Sequence, residues 1–418
     1  YINCKEEIME TIRFFMLLIS LCLGFSQSHA QDYEQLDKYM SKYSGTWCRP
    51  SMSVENVKSQ LGKPMPEFNF SKTLNSKALK GRPVVLTFWA TWCGGCRLLC
   101  VDLDSVMVRH SDDYKDVQII GVDSDEKMVN KGYVASDFWK QKGIGYPTTA
   151  PGKAADQCGK SIGAGHPTTV FIDRNGILRG RWDAWTPDVA SNVALAVWAT
   201  DIAPRQGVKA DLATVNQLIA EKHYDRALYL LEQMPEDTTN VEQRMAALLH
   251  ISPMQLEEYY NKCKAEGEKG RKKDDWRWQP SAEFLAQMRA FTNVIYNNKV
   301  KDSYLLRSGM EAATLVANRS RPYKLDNTIK ASELRIRYGE ALQYSGKESI
   351  YEMTRRALGE NSESGSERKT SEEEKAALKQ LIQRYQISED DFGELNGSHR
   401  KMMQDKKEQA EHMAKVKK

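Results

Sequence analysis

Two thiols separated by two glycines, Cys93-Gly94-Gly95-Cys96, carry the clearest chemistry in this 418-residue chain. Two intervening residues let the second sulfur reach back and close a disulfide on the first. That arrangement suits thiol–disulfide exchange, in which one thiolate attacks and its neighbour releases the mixed disulfide. The same spacing also forms half of a structural zinc site. The other half is not in the sequence: there is no second Cys-x-x-Cys and no His-x3-5-His pair. Redox chemistry is therefore the favoured reading, and it calls for no cofactor and no metal.

The flanking residues say how the pair is held. Pro83-Val84-Val85-Leu86-Thr87-Phe88 is a short apolar run rich in β-branched residues, the pattern of a buried strand. From Cys96 to Arg109, Leu98, Leu99, Val101, Leu103, Val106 and Met107 predict a helix packed on a sheet. The cysteines fall where strand turns into helix. Free N–H groups and the positive end of the helix dipole favour a thiolate at that point, so Cys93 should ionise below the ordinary thiol range. Cys93, nearer the exposed start, is the expected nucleophile; Cys96, one turn in, is the expected resolving thiol.

Together, Phe88-Trp89-Ala90-Thr91-Trp92-Cys93-Gly94-Gly95-Cys96-Arg97 resembles the active-site segment of the thioredoxin superfamily, and within it the extracytoplasmic TlpA-like thiol–disulfide oxidoreductases. Leu61-Gly62-Lys63-Pro64-Met65-Pro66-Glu67-Phe68 and Leu79 to Val85 are similar to that family's lead-in. Gly165-His166-Pro167-Thr168-Thr169-Val170-Phe171-Ile172 resembles its cis-proline loop and following strand. The resemblance implies a redox-active Cys93–Cys96 disulfide, with Trp92, His166 and Pro167 contacting the substrate chain. It also implies a thioredoxin-like α/β fold with a central mixed sheet. Protein thiols or disulfides are the implied partners, together with a membrane or periplasmic electron donor.

Two positions depart from the family. Thr87 stands where many relatives carry an acid or amide, and Leu99 where a glutamate is common, so the usual base for the resolving thiol is absent. Gly94 and Gly95 add no charge beside the sulfurs. His166 has two readings: a hydrogen-bond donor that makes the thiolate pH-sensitive, or a solvated loop side chain acting through its backbone alone.

Length predicts two or three domains at about 100–200 residues each. A net charge of +4 with mixed signs argues against nucleic-acid binding. Residues 1–30 are expected to be a signal peptide: Met9 as start, Arg13, the apolar run from Phe14 to Phe25, then Ser28-His29-Ala30 before the cleavage point. That run is too short to span a bilayer, so no membrane span is expected after cleavage. Export to the periplasm follows. Lipid attachment at Cys22 is the alternative, disfavoured by Leu21. Six cysteines then remain: Cys48, Cys93, Cys96, Cys100, Cys158 and Cys263. Cys100, on the same helix face as Cys96, is expected as a small buried apolar group, with a Cys100–Cys158 bridge as the lesser alternative.

Residues 31–59 form an expected N-terminal extension in which Trp47-Cys48 has no evident partner. The thioredoxin-like domain should run over 60–203, with strands over 84–90, 117–122, 169–172 and 178–182 and helices over 93–109, 127–141 and 187–200. Residues 146–163 are expected as a loop before the proline. An all-α domain follows over 208–359, where Val215, Leu218, Ile219, Ala227, Leu228, Leu231 and Met234 recur at helical spacing. Helix pairs break near Lys222-His223-Tyr224-Asp225 and Ser345-Gly346; the first is similar to a tetratricopeptide fragment, without a fixed period. Residues 360–370 have linker composition and 371–418 form a charged helical tail. Against exchange chemistry stands a second class: a scaffold whose helical half captures a partner. A peroxidase on this fold would need a proline and threonine ahead of the cysteine, which Trp89-Ala90-Thr91-Trp92 does not supply.

Overall fold

The alternating strand and helix signals around the cysteine pair assemble, in a computed structural model, into one mixed four-stranded sheet. The structure describes residues 33–49, 57–109, 112–124, 135–272 and 277–341, with 376 and 380. The expected signal peptide, the linker at 360–370 and, those two positions apart, the tail lie outside these residues. The described part divides into two compact units between Pro235 and Glu236.

A helix over residues 33–43, α1, opens the first unit. Then come β1 (Val84–Trp89), α2 (Gly94–Asp104), β2 (Gln118–Asp123), α3 (Ala135–Lys142), α4 (Lys153–Ile162), β3 (Thr168–Ile172), β4 (Leu178–Asp183), α5 (Val189–Val197), which continues through a π-turn over Trp198–Ile202 and a last α-turn over Ala203–Gln206, and then α6 (Leu212–Ala220) and α7 (Tyr224–Leu231). β1 is buried along its whole length, as an uninterrupted apolar run requires of a central strand. It pairs in parallel with β2 across α2 and antiparallel with β3. Asn175-Gly176 then turns β3 into the antiparallel β4, with Gly176 at φ 77°.

Both sheet edges are covered, which removes free strand edges that would otherwise recruit other chains. On the β4 side, Cys48 N–H donates to Arg181 O at 3.1 Å and Asp183 N–H to Thr46 O at 2.9 Å, while Gly62 N–H donates to Leu178 O at 2.8 Å. On the β2 side, Gly121 N–H donates to Pro147 O at 2.9 Å and Thr149 N–H to Gly121 O at 2.8 Å.

Several local expectations change. The N-terminal extension is part of the core: Leu36 and Met40 are fully buried, and Trp47 packs edge-on against Trp182 with centroids 5.3 Å apart. Its aromatic and aliphatic residues were hidden among polar ones, and only the sheet edge reveals their partners. The segment at 146–163 is a helix over most of its length, α4, ended by Gly163 in the left-handed conformation. The helix expected over 93–109 holds α-geometry to Asp104 and widens to a π-turn over Ser105–Arg109. Among the described residues, the helix expected over 127–141 begins at Ala135; residues 125–134 lie outside them.

The second unit is helical in its described part: α8 (Val241–Ile251), α9 (Pro253–Gly267), α10 (Ala282–Asn297), α11 (Ser303–Arg319) and α12 (Lys324–Ala341). Ser252, Ser281 and Asp302 cap α9, α10 and α11 with side-chain oxygens. Tyr260 stacks on Phe291 at 4.0 Å inside the bundle. The break expected near Ser345-Gly346 lies outside the described residues. No described helix is long and apolar enough to cross a membrane.

Candidate active site

Register alone brings four chain segments to one end of the sheet. Phe88 pairs with Thr168 and Trp89 with Asp123, while Thr168 also pairs with Asp183. The residues just beyond those pairs, Ala90 to Cys93, Ser124, Pro167 and Ala184, therefore converge. This is the carboxyl end of the parallel pair, where α/β sheets hold their reactive groups.

Cys93 is the N-cap of α2. Its backbone is extended, and Sγ accepts the Cys96 N–H at 3.2 Å. Cys93 N–H donates to Ala90 O and Arg97 N–H to Cys93 O, so the sulfur is fixed at the mouth of the helix. The two cysteines are joined as a disulfide with Cα atoms 5.2 Å apart. Cys93 keeps 8% of its surface accessible and Cys96 keeps none.

The intervening glycines are not equivalent. A side chain at Gly94 would meet nothing within 4 Å, whereas a Cβ at Gly95 would lie 3.3 Å from Trp185 Cβ. Trp185 is anchored by its ring N–H, which donates to Asp102 Oδ2 at 3.0 Å. It follows Ala184, a non-glycine residue at φ 104° whose N–H donates to Pro167 O at 3.0 Å. Neither Trp185 nor Ala184 stood out in the sequence, since only the β3–β4 register places them here.

The His166–Pro167 peptide bond is cis, with Pro167 buried and His166 exposed. The His166 ring nitrogen Nε2 shares a hydrogen bond with Ser124 Oγ at 2.7 Å. Trp92, 57% exposed, lies against the His166 ring with centroids 5.7 Å apart. Ser124 was absent from the sequence-based site because nothing local marks it; it is simply the next residue after β2.

The departures from the family also find their setting. Thr87 Oγ1 and Thr169 Oγ1, directly opposed across β1 and β3, share a buried hydrogen bond at 2.9 Å. Leu99 is fully buried. Cys100 and Cys158 are free and buried, so the bridge between them is not formed, and burial pushes both thiols up to about 12. Among the described residues no cluster of three or more His, Cys, Asp or Glu side chains stands ready for a metal ion.

A mixed sheet whose first strand ends in a Cys-x-x-Cys disulfide at a helix N-terminus, facing a cis-proline loop, defines a thioredoxin-like protein. Comparison with known proteins agrees. The Redoxin family model matches residues 60–182. Thiol-disulfide oxidoreductase ResA of Bacillus thuringiensis (strain Al Hakam) is 32% identical over 131 residues, spanning 29% of this chain and 69% of that protein. Thiol:disulfide interchange protein DsbE of Pseudomonas fluorescens biotype C is 26% identical over 181 residues, spanning 41% and 88%. Among solved structures, a thiol:disulfide interchange protein from Chlorobium tepidum TLS is similar at 24% identity and a TM-score of 0.26, covering 32% of this chain and 95% of that one. The chain belongs to the TlpA-like thiol–disulfide oxidoreductases.

Proposed function

We propose that this protein is an exported protein-disulfide reductase working through Cys93 and Cys96. The observation that carries the reading is the unequal placement of the two sulfurs, one accessible at the helix cap and one sealed a turn behind it. With the site reduced, the Cys93 thiolate attacks one sulfur of a substrate disulfide, and the other substrate sulfur leaves and takes up a proton. Cys96 then gives up its proton and attacks Cys93 Sγ, releasing the second substrate thiol. Two electrons have passed from the protein dithiol to the substrate. A dithiol donor, membrane-bound or periplasmic, restores the reduced site by the reverse exchange.

Trp92, His166 and Pro167 flank the nucleophile and form the surface on which an extended substrate chain lies, in the manner of strand addition. Supporting the extracytoplasmic setting is the leader-like pattern of residues 9–30. The deciding experiment is insulin reduction with dithiothreitol. The wild type should accelerate precipitation and Cys93→Ser should not; a wild type no faster than dithiothreitol alone overturns the reading.

A further inference from the structure

Behind the loop that carries His166 and Pro167 sits a cation with no solvent-accessible surface. Arg181, on β4, is 0% exposed. Burying a guanidinium is costly unless its donors are met and its charge is paired. Here they are met. Nε donates to both oxygens of Asp183, at 3.0 and 2.9 Å. Nη2 donates to Gly163 O at 2.9 Å, and Nη1 to Ile162 O and, at 3.2 Å, to Gln60 Oε1. Arg181 and Asp183 are two residues apart on one strand and so share a face of the sheet.

The network runs on into the loop. Asp183 Oδ1 accepts the Thr168 hydroxyl at 2.9 Å, and that same hydroxyl oxygen accepts the Gly165 N–H at 2.9 Å. From the adjacent backbone, Ala184 N–H donates to Pro167 O. Residues 162, 163, 167 and 168 are thus each tied directly to Arg181, Asp183 or Ala184, and residue 165 is tied through the Thr168 hydroxyl. Replacing a buried ion pair by well-packed apolar side chains is often neutral or favourable for stability, so stability alone is a weak reason for this one. What an apolar pair would lack is the directional hold: the guanidinium fork grips two carbonyls and Asp183 in a single rigid plane, and Asp183 in turn accepts the Thr168 hydroxyl.

We propose that Arg181 is a positioning residue for disulfide exchange. Through Asp183 and Thr168 it sets the height of the His166-Pro167 backbone beside Cys93, and so governs the use of polypeptide disulfides while leaving small disulfides unaffected. The inference rests on the proposed substrate path along that backbone. A small aromatic disulfide meets Cys93 without needing the loop; an extended chain does not.

Two variants test it. Thr168→Val removes the hydroxyl that links the loop to Asp183 and leaves the Arg181–Asp183 pair whole. Arg181→Lys keeps a cation beside Asp183 but cannot hold Ile162, Gly163 and Asp183 together. For each, kcat and KM for insulin are compared with the rate constant for the reduced protein with 5,5′-dithiobis(2-nitrobenzoate), alongside thermal melting. Both variants should lose roughly tenfold or more in kcat/KM for insulin, mainly through KM, while the small-disulfide rate stays within about twofold, since slight misplacement of a bound chain is costly. Equal losses on both substrates, or no loss in a folded variant, overturn the proposal. Should Arg181→Lys not fold, Thr168→Val decides alone. A wild type inactive on insulin would instead overturn the reductase reading.

Discussion

At Cys93 the physics is local: a sulfur at a helix cap accepts one N–H and keeps a sliver of exposed surface, while Cys96 is sealed. Reactivity requires a thiolate and a path to it, so the two should separate cleanly in the reduced protein. Iodoacetamide at neutral pH is expected to modify Cys93 well before Cys96, read by peptide mass after a timed quench; equal rates would contradict the assigned roles. The remaining buried thiols should stay unmodified until the protein is unfolded. His166 keeps both of its readings at this scale, now with a definite neighbour. Because Nε2 is engaged with Ser124 Oγ, His166→Ala tests the ring and Ser124→Ala tests its orientation. A shift in the Cys93 titration in both variants would assign the ring an electrostatic role.

Between elements, Thr87, one of the two positions that depart from the family's pattern, is paired with Thr169. Each hydroxyl is buried and finds its hydrogen bond in the other, across β1 and β3. Thr87→Val would leave the Thr169 hydroxyl without this bond, a loss of about 1–3 kcal/mol. The double variant Thr87→Val/Thr169→Val removes both partners at nearly constant shape and should recover most of that loss. Urea denaturation of the three variants measures the coupling; additive losses would mean that the pair is not a unit. The same logic explains why the sheet needs its irregular neighbours. Residues 46–48 and 62–63 satisfy β4, and residues 147–149 satisfy β2, so the strand carrying the site keeps both flanks paired.

For the whole molecule, the division between Pro235 and Glu236 places α6 and α7 with the sheet unit. Arg226 of α7 donates to Tyr114 OH at 3.0 Å, pairs with Asp113 at 2.8 Å and lies over the Trp198 ring. A fragment ending at Pro235 should therefore melt higher than one ending at Ala203, which strips these contacts and uncovers apolar core. Calorimetry of the two fragments checks it. Alkaline pH offers a second global test. Burial pushes the thiols of Cys100 and Cys158 up to about 12 and that of Cys263 up to about 11, from an ordinary 9.0. The native state then holds these protons more tightly than the unfolded chain. Their contribution to stability is whole below pH 9 and is lost as pH rises through the native values near 11 to 12. The melting temperature should fall over that window, and more gently in Cys158→Ala.

What the chain determined by itself is whatever depends on neighbours in sequence. A β-branched apolar run followed by two spaced thiols and a helical apolar pattern leaves few alternatives to a cysteine-capped helix after a buried strand. His166-Pro167 before another such run was legible through its resemblance to the family's cis-proline loop. Only the tertiary structure could supply the partners, because β-sheet register joins residues far apart in sequence. It set Ser124 against His166, Trp185 against Gly95 and Thr87 against Thr169, and it placed Arg181 behind the proline loop. It also turned an apparently polar N-terminal stretch into core, since Leu36, Met40 and Trp47 have nothing to bury against until β4 and the helices beside it exist.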